Sequence, residues 1–277
     1  MQTLFILLRG KSKRPASRWE SLLCGKRCFF NKIYALKLEF SWGRPVNTNS
    51  VPSGTNPSNS APFAVIFDWD GVIIESSTHH EESWKRLAKE AQVFLPEDHF
   101  LKGFGMKNEF IIPNILKWTQ DPQEIQKLSL RKEEHYRAII AEWGLEPLRG
   151  LTVLLDRLAD EAIPCAIGSS THRLNITTSL EILGLKKYFR TLITAEDVKL
   201  GKPDPEVFLK AAASLGFAPQ KCVVFEDAPM GIEAALAANM LAVGITTTHS
   251  KATLSKAHLV IRRLDEMDVN RLEAMFG

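Results

Sequence analysis

Short apolar runs alternate with amphipathic stretches from Pro62 to the end of the chain. The runs have the length and composition of strands that are buried on both faces of a sheet. They are Phe63–Phe67, Pro164–Gly168, Thr191–Thr194, Cys222–Phe225 and Leu241–Ile245. Because helical patterns separate them, we predict an α/β fold with a doubly wound, parallel, Rossmann-like sheet.

Two of the intervening stretches have clear helical signatures. Leucines in 151–158 recur with the spacing of a single helix face. In 201–216, Asp204 can cap a helix, Pro205 suits its first position and Gly216 suits its end. These patterns predict helices that cover the sheet.

Residues 80–147 interrupt this alternation, because they contain helical patterns only. The clearest has apolar residues at positions i, i+3, i+4 and i+7, namely Trp84, Leu87, Ala88 and Ala91. We predict that 80–147 form an all-helical cap domain inserted into a core domain made of 61–79 and 148–277. Such an insertion is a natural position for a lid that excludes water.

The first 60 residues differ in charge from the rest of the chain. They contain ten Lys and Arg residues and two acids, giving +8, so the total of +3 leaves −5 for residues 61–277. We therefore expect no nucleic-acid partner for the main body. Val46–Ser60 is polar and rich in Pro, Asn and Ser, which is typical of a linker. Residues 1–60 are interpreted as a basic extension: a transit peptide, a tail without a role, or sequence upstream of the true start.

Cysteine usage and hydropathy limit the location of the protein. Four cysteines are too few for a disulfide framework, and Cys24 and Cys28 lack neighbouring ligands that would complete a zinc site. No apolar run reaches the roughly 18 residues of a membrane span, and Leu4–Leu8 is too short for a secretory signal. We expect a cytoplasmic protein, or a plastid or mitochondrial one if the extension is a transit peptide. A monomer is favoured.

Polar residues follow four of the five apolar runs, where strands would end. They are Asp68 and Asp70, then Ser169 and Ser170, then Lys202, and finally Glu226 and Asp227. Ligands bind at the carboxyl ends of strands in open α/β sheets, so we expect these side chains to converge. Each of these four groups of polar residues, taken alone, is of a kind common in turns, helix caps or surfaces. Their occurrence in order after successive apolar runs indicates a functional site.

The residue types indicate phosphoryl transfer. Converging carboxylates repel one another unless a cation lies among them, and oxygen ligands without His or Cys favour Mg²⁺. Lys202 and the Ser169 hydroxyl can hold phosphoryl oxygens. A carboxylate can attack phosphorus and form an aspartyl-phosphate.

The segments FDWDGVI, AIGSST, KLGKPDPEVF and VVFEDAPMGIEAA resemble the four ordered motifs of the haloacid dehalogenase (HAD) superfamily. With a helical cap after the first motif, residues 62–268 resemble its β-phosphoglucomutase-like branch, which includes sugar-phosphate phosphatases. The resemblance implies that Asp68 is the nucleophile and a Mg²⁺ ligand. Asp70 would be the general acid/base, with its backbone carbonyl on the metal, and Glu226 and Asp227 would lie around it. Dehalogenation is disfavoured because those enzymes lack the metal carboxylates and the second Asp of the first motif.

The cap determines the choice between two activities. The resemblance aligns His80 with a His that helps couple cap closure to proton transfer in β-phosphoglucomutases, and Lys132 with a cap lysine of that group. We include both, with Lys107, among the candidate substrate-binding residues. Met106 stands where those mutases have a phosphate-binding Arg, and the adjacent Lys107 is a less precise clamp. We therefore predict a Mg²⁺-dependent phosphatase of a small phosphorylated metabolite, such as a sugar phosphate. The alternatives are a β-phosphoglucomutase-type isomerase and a non-catalytic HAD-like regulatory protein.

Overall fold

A computed structural model describes residues 61–103 and 106–277 of the chain. The interpretations of residues 1–60, including the pair Cys24 and Cys28, lie outside the described residues. No helix in the described ranges is both long and apolar enough to cross a membrane.

The described residues form one parallel sheet of six strands. Its strands are β1 (Ala64–Phe67), β2 (Cys165–Gly168), β3 (Phe189–Ile193), β4 (Cys222–Glu226), β5 (Leu241–Ile245) and β6 (Leu259–Ile261). Their spatial order is β3-β2-β1-β4-β5-β6, and all neighbouring pairs are parallel. The central strand β1 has Val65 opposite both Cys165 and Val223.

Helices connect the strands and fill the segment between β1 and β2. They are α1 (Ser77–Ala91), α2 (His99–Gly103), α3 (Asn108–Phe110), α4 (Pro122–Trp143), α5 (Leu151–Asp160), α6 (Arg173–Leu183), α7 (Glu206–Leu215), α8 (Pro229–Ala237) and α9 (Val269–Glu273). A π-helix, Ile111–Leu116, continues α3. Short 3₁₀ turns occur at Lys186–Tyr188, Ala195–Asp197, Pro219–Lys221, Leu264–Glu266 and Ala274–Phe276.

Both faces of the sheet are covered, which explains why strands such as β1 and β2 are continuously apolar. Val65 and Phe67 of β1 point into one apolar cluster, which includes the leucines of α5. Ala64 and Ile66 point into the opposite cluster, which includes the apolar face of α7. Because successive side chains of a strand alternate between faces, a strand between two helix layers has no polar position.

Within the described residues, the named elements between β1 and β2 are all helices, as the sequence predicted. This segment has its own apolar cluster, in which Trp84 and Leu87 of α1 pack with Ile112 and Leu116 of the π-helix and Leu128 of α4. The prediction of a parallel α/β sheet with an inserted helical cap is therefore confirmed. We refer to residues 77–143 as the cap.

Several element bounds differ from the prediction. Strand β3 begins at Phe189 rather than Thr191, and the three-residue strand β6 was not predicted. Helix α7 begins at Glu206, because Pro205 is its N-cap, although the Asp204 side chain does accept a bond from the Glu206 N–H (3.0 Å). Gly216 ends this helix in the left-handed conformation (φ 80°), as expected.

Candidate active site

The ends of β1, β2 and β4 place the predicted polar residues along one edge of the sheet. Asp68 directly follows β1, and its N–H donates to the Phe225 carbonyl of β4 (3.0 Å). Ser169 directly follows β2, and its N–H donates to the Ile193 carbonyl of β3 (3.0 Å). Because the ladder continues to these residues, their side chains are held rigidly at the edge.

Three buried carboxylates converge beside this edge. Oxygen atoms of Asp68, Glu226 and Asp227 all lie within 4.8 Å of one another. Burial raises the pKa of Asp68, and Glu226 and Asp70 raise it further, so that it reaches about 7 despite the opposing charge of Lys202. Burial, with the charges of Glu226 and Asp68, also raises the pKa of Asp227 well above its ordinary value. The cluster is therefore short of positive charge.

Lys202 is a cation in direct contact with this cluster. Its Nζ donates to Asp68 Oδ1 (2.6 Å) and Glu226 Oε1 (2.7 Å), and it lies 4.8 Å from the centre of the Phe208 ring. Burial lowers the pKa of Lys202, but the two carboxylates outweigh this effect and raise the pKa above its ordinary value. Lys202 therefore remains charged.

The surrounding backbone is shaped to bring the carboxylates together. A Cβ on Gly71, whose φ is +77°, would lie 1.9 Å from Asp227 Oδ2. A Cβ on Gly231 would lie 1.7 Å from Glu226 Oε1. Both glycines leave the space that these carboxylates occupy. Since the donors are all oxygens and are short of positive charge, the residues fit a hard divalent cation such as Mg²⁺.

Asp70 is held by donors from three directions. The Ser76 hydroxyl and His80 Nε2 (3.2 Å) both donate to Asp70 Oδ1, and the Thr171 hydroxyl donates to Asp70 Oδ2. Burial alone would raise the pKa of Asp70, but these contacts, led by that with His80, lower it to about 2. Asp70 is therefore an oriented, ionised carboxylate.

His80 connects Asp70 to the cap. Lys132 Nζ lies 2.6 Å from His80 Nδ1, and because an ammonium group can only donate, Nδ1 accepts. The ring proton is thus on Nε2, where it faces Asp70. The His80 ring stacks on Tyr136 at 4.1 Å, which orients it further. The predicted residues His80 and Lys132 therefore lie together, next to Asp70.

The hydroxyl residues after β2 form one wall of the cleft. Ser169, Ser170 and Thr171 line it, and Ser169 Oγ accepts a bond from the Thr171 N–H (3.1 Å). This bond leaves the hydroxyl proton of Ser169 available to a ligand.

Lys107 of the cap lines the cleft and contacts the core. Its Nζ donates to the carbonyls of Ala195 (3.0 Å) and Val198 (3.2 Å), in the loop that follows β3. The side chain thus joins the cap to the core in this structure. Met106 also lines the cleft and contributes no charge.

Several residues that shape the site were missed in the sequence. Ser76 and Thr171 hold Asp70, and Glu133 of α4 lines the cleft beside Lys132. Thr171 could have been found, because it continues the Ser-Ser pair. Ser76 and Glu133 carry no local signal, because serines and glutamates are common at helix ends and on helix surfaces.

Comparison with known proteins supports this description. The profile of the haloacid dehalogenase-like hydrolases matches residues 65–245. The chain is 35% identical over 240 residues to the Arabidopsis thaliana protein "5-amino-6-(5-phospho-D-ribitylamino)uracil phosphatase, chloroplastic", covering 83% of this chain and 64% of that protein. It is 32% identical over 217 residues to a β-phosphoglucomutase of Bacillus subtilis (strain 168), covering 76% of this chain and 93% of that protein.

A solved structure has the same architecture. The crystal structure of β-phosphoglucomutase from Clostridium difficile aligns with a TM-score of 0.70 and 27% identity, covering 78% of this chain and 97% of that chain. The profile match includes the carboxylate cluster, the hydroxyl loop and Lys202. The family and hydrolase class predicted from the four sequence motifs are therefore confirmed: the chain belongs to the haloacid dehalogenase-like hydrolases.

Proposed function

We propose that this protein is a Mg²⁺-dependent phosphatase that hydrolyses a small phosphorylated metabolite through a phosphoaspartate on Asp68. One observation carries the proposal. A buried carboxylate, Asp68, accepts a bond from a buried lysine and lies within 4.8 Å of two further carboxylates, while a second, oriented carboxylate, Asp70, lies next to the cap. Such a set can attack phosphorus, stabilise its oxygens and transfer a proton.

In this proposal Asp68, Glu226 and Asp227 hold the metal, with the backbone carbonyl of Asp70. When bound, Mg²⁺ supplies positive charge that stabilises the phosphoryl oxygens and lowers the repulsion among the carboxylates. The buried position of the three carboxylates supports this assignment, because the raised pKa values of Asp68 and Asp227 show how unfavourable joint ionisation is without a metal ion.

The first half-reaction transfers the phosphoryl group. An Asp68 oxygen forms a bond to phosphorus while the bond from phosphorus to the leaving oxygen breaks. Lys202 and Ser169 hold the transferred oxygens, and Asp70 gives a proton to the leaving oxygen. An approaching phosphate dianion raises the pKa of Asp70 by like-charge repulsion, which favours the protonated form that this step needs.

The second half-reaction regenerates the enzyme. A water attacks phosphorus, Asp70 takes the proton of that water, and the bond from phosphorus to Asp68 breaks to release phosphate. Asp70 has lost its proton in the first half-reaction, so it can accept this one. Its three donors keep the carboxylate pointed at one position, so little reorganisation is needed.

The cap supports a phosphatase more than a mutase. A mutase must grip a second phosphate while a bisphosphate intermediate turns around. Met106 offers no charge, and Lys107 donates to two core carbonyls. With weak distal binding, water can capture the aspartyl-phosphate.

The names of the relatives support a phosphorylated metabolite as the substrate. The Arabidopsis relative is named for 5-amino-6-(5-phospho-D-ribitylamino)uracil, which makes that compound a first candidate. Its name also includes "chloroplastic", which supports a plastid location for this protein; a fluorescent fusion of residues 1–60 would test it.

The test is release of inorganic phosphate from a panel of sugar and ribityl phosphates, with Mg²⁺ and with EDTA. We expect Asp68→Asn to lower turnover by several orders of magnitude, because the amide cannot attack phosphorus. Asp160→Asn is the matched control, since Asp160 is exposed at the end of α5. Activity of Asp68→Asn above about a tenth of wild type, or full activity in EDTA, would refute the mechanism.

A further inference from the structure

The cap side of the cleft is the part lined by cap residues, among them His99, Lys107, Glu109, Lys132 and Glu133. Its charge is already balanced or negative, and it presents hydrogen-bond acceptors. We propose that it is a subsite for an uncharged, donor-bearing group, so that the substrate has one phosphate and a hydroxyl or N–H tail without a second anionic group. This inference rests on the proposed phosphatase function, and it adds which class of tail the enzyme accepts.

The two cap lysines among the described lining residues of the cleft already have hydrogen-bond partners. Lys132 Nζ donates to Glu133 Oε1 (3.0 Å) and His80 Nδ1 (2.6 Å), and its side chain is only 3% exposed. Lys107 Nζ donates to the carbonyls of Ala195 and Val198. Neither ammonium group is free to bind a second phosphate without giving up these partners.

A further side chain that can carry positive charge is also paired. His172 lines the cleft, and its Nδ1 lies 3.1 Å from Glu196 Oε1. The hydrogen bond to Glu196 raises the pKa of His172, and the pair is neutral overall when the ring is charged. An anionic tail would have to compete with the carboxylate of Glu196 for this ring.

Fixed negative charge lies on the same side. Glu133 is 4% exposed, lines the cleft and accepts from Asn108 Nδ2 (2.6 Å) and from Asn175 of α6. Burial alone would raise the pKa of Glu133, but Lys132, His80 and Asn108 together lower it to about 2, so Glu133 is an anion. Glu109 also lines the cleft and accepts from the Ser129 hydroxyl (3.0 Å).

The charge of the whole cleft favours the same conclusion. Its described lining residues include six carboxylates and three lysines, so the formal charge is 3 − 6 = −3 with neutral histidines. A bound Mg²⁺ changes this to −1. The phosphate at Asp68 then adds more negative charge, which leaves no electrostatic reason for a second anion to bind.

His99 of α2 provides an acceptor that has no partner. Its Nδ1 lies 2.7 Å from the Pro96 carbonyl, which can only accept, so Nδ1 carries the proton. Burial lowers the pKa of His99, so the ring is neutral and Nε2 is an acceptor. His99 lines the cleft and is only 3% exposed. Its Nε2 atom is buried and has no hydrogen-bond partner among the described residues. A buried polar atom without a partner is unfavourable, and a donor on the ligand would satisfy it.

A pair of matched compounds tests the subsite directly. Sorbitol 6-phosphate and 6-phosphogluconate have the same carbon chain and differ only at C1, which is a CH₂OH group in one and a carboxylate in the other. We expect kcat/KM for phosphate release to be at least about tenfold higher for sorbitol 6-phosphate, mainly through KM, since a charge without a partner is costly to bind. Equal values, or a preference for 6-phosphogluconate, would overturn the inference.

Two substitutions assign the effect to residues. Glu133→Gln removes the fixed charge and should reduce the preference for sorbitol 6-phosphate at least about threefold. Glu134→Gln, on the exposed face of α4, is its control.

His99→Phe removes the acceptor and should lower the kcat/KM ratio of sorbitol 6-phosphate to acetyl phosphate by about three- to tenfold. His135→Phe, a cap histidine that pairs with Glu90, is its control. Ratios that change equally in a variant and its control would overturn the assignment.

Acetyl phosphate separates the failure of this inference from the failure of the proposed function. It has a phosphoryl group but no polyol tail, so its hydrolysis depends on Asp68 and not on the distal subsite. Hydrolysis of acetyl phosphate with no preference between the two matched compounds would overturn the subsite alone. No phosphate release from any of the compounds would overturn both.

Discussion

Lys202→Met removes the cation that contacts Asp68 and Glu226, while keeping the length of the side chain. Lys202 Nζ touches Asp68 at 2.6 Å and Glu226 at 2.7 Å, and the three side chains are 5%, 10% and 1% exposed. At an effective dielectric constant of about 20, each such pair is worth about 4 kcal/mol. Burying the ammonium costs several kcal/mol, so the net loss is about 3 to 5 kcal/mol.

Thermal unfolding in EDTA measures this loss in the metal-free protein. A destabilisation of about 3 to 5 kcal/mol lowers the Tm of a domain of this size by about 6 to 20 °C. Lys210→Met is the matched control, because Lys210 pairs with Glu206 on the surface and its side chain is 45% exposed. An exposed pair contributes about 0 to 1 kcal/mol, so the control should change little.

The effect should depend on pH in a defined direction. The pKa of Asp68 is raised from 3.8 to about 7, so the stability that its bound proton provides is lost as the pH rises through about 7. Without Lys202, which lowers this pKa, it rises further. The difference in Tm between wild type and Lys202→Met should therefore be larger at pH 8.5 than at pH 6. A loss of Tm no larger than that of Lys210→Met, or a difference that shrinks at high pH, would refute the reasoning.

Three further outcomes are expected. Gly71→Ala should lose about 2 to 4 kcal/mol of stability and most Mg²⁺-dependent activity, because the added Cβ would lie 1.9 Å from Asp227 Oδ2. Gly184→Ala is the control for backbone strain alone, because Gly184 has φ +66° but open space around the added Cβ. Comparable denaturation midpoints for the two variants would contradict this. His80→Ala should slow phosphate release about 10²-fold or more without weakening Mg²⁺ binding measured by calorimetry; an unchanged rate would exclude a role in proton transfer. With β-glucose 1-phosphate and catalytic glucose 1,6-bisphosphate, we expect inorganic phosphate, and rapid accumulation of glucose 6-phosphate would favour a mutase.

Much of the fold was accessible from local pattern. The core of strand β1 and of its neighbours is apolar because helices cover both faces of the sheet. Such apolar runs can be recognised in the sequence without the structure. The end of α7 at Gly216 was readable because a left-handed residue favours glycine. Strand β6 was not found, because three residues, Leu259–Ile261, of which only Ile261 is buried, carry too little pattern to distinguish them from a loop.

The core of the site was also accessible, because the topology of a parallel sheet brings consecutive strand ends to one edge. Asp68, Ser169, Lys202 and Glu226 could be grouped from their positions after apolar runs alone. No distance was needed for that inference, since the hydrogen-bond ladder itself holds strand ends together.

The cap side of the cleft depended on tertiary structure. Lys107 has the charge of a phosphate ligand in the sequence, yet folding places its Nζ on the carbonyls of Ala195 and Val198, nearly 90 residues away. Glu133 has the pattern of an ordinary helix residue, yet it is buried against Asn175 of the core. The sequence by itself determined five of the six strands, the order of the motifs and the residues at the strand ends, because these follow from local periodicity. Only the tertiary structure decided which cap charges are neutralised, because that depends on contacts between segments distant in the chain.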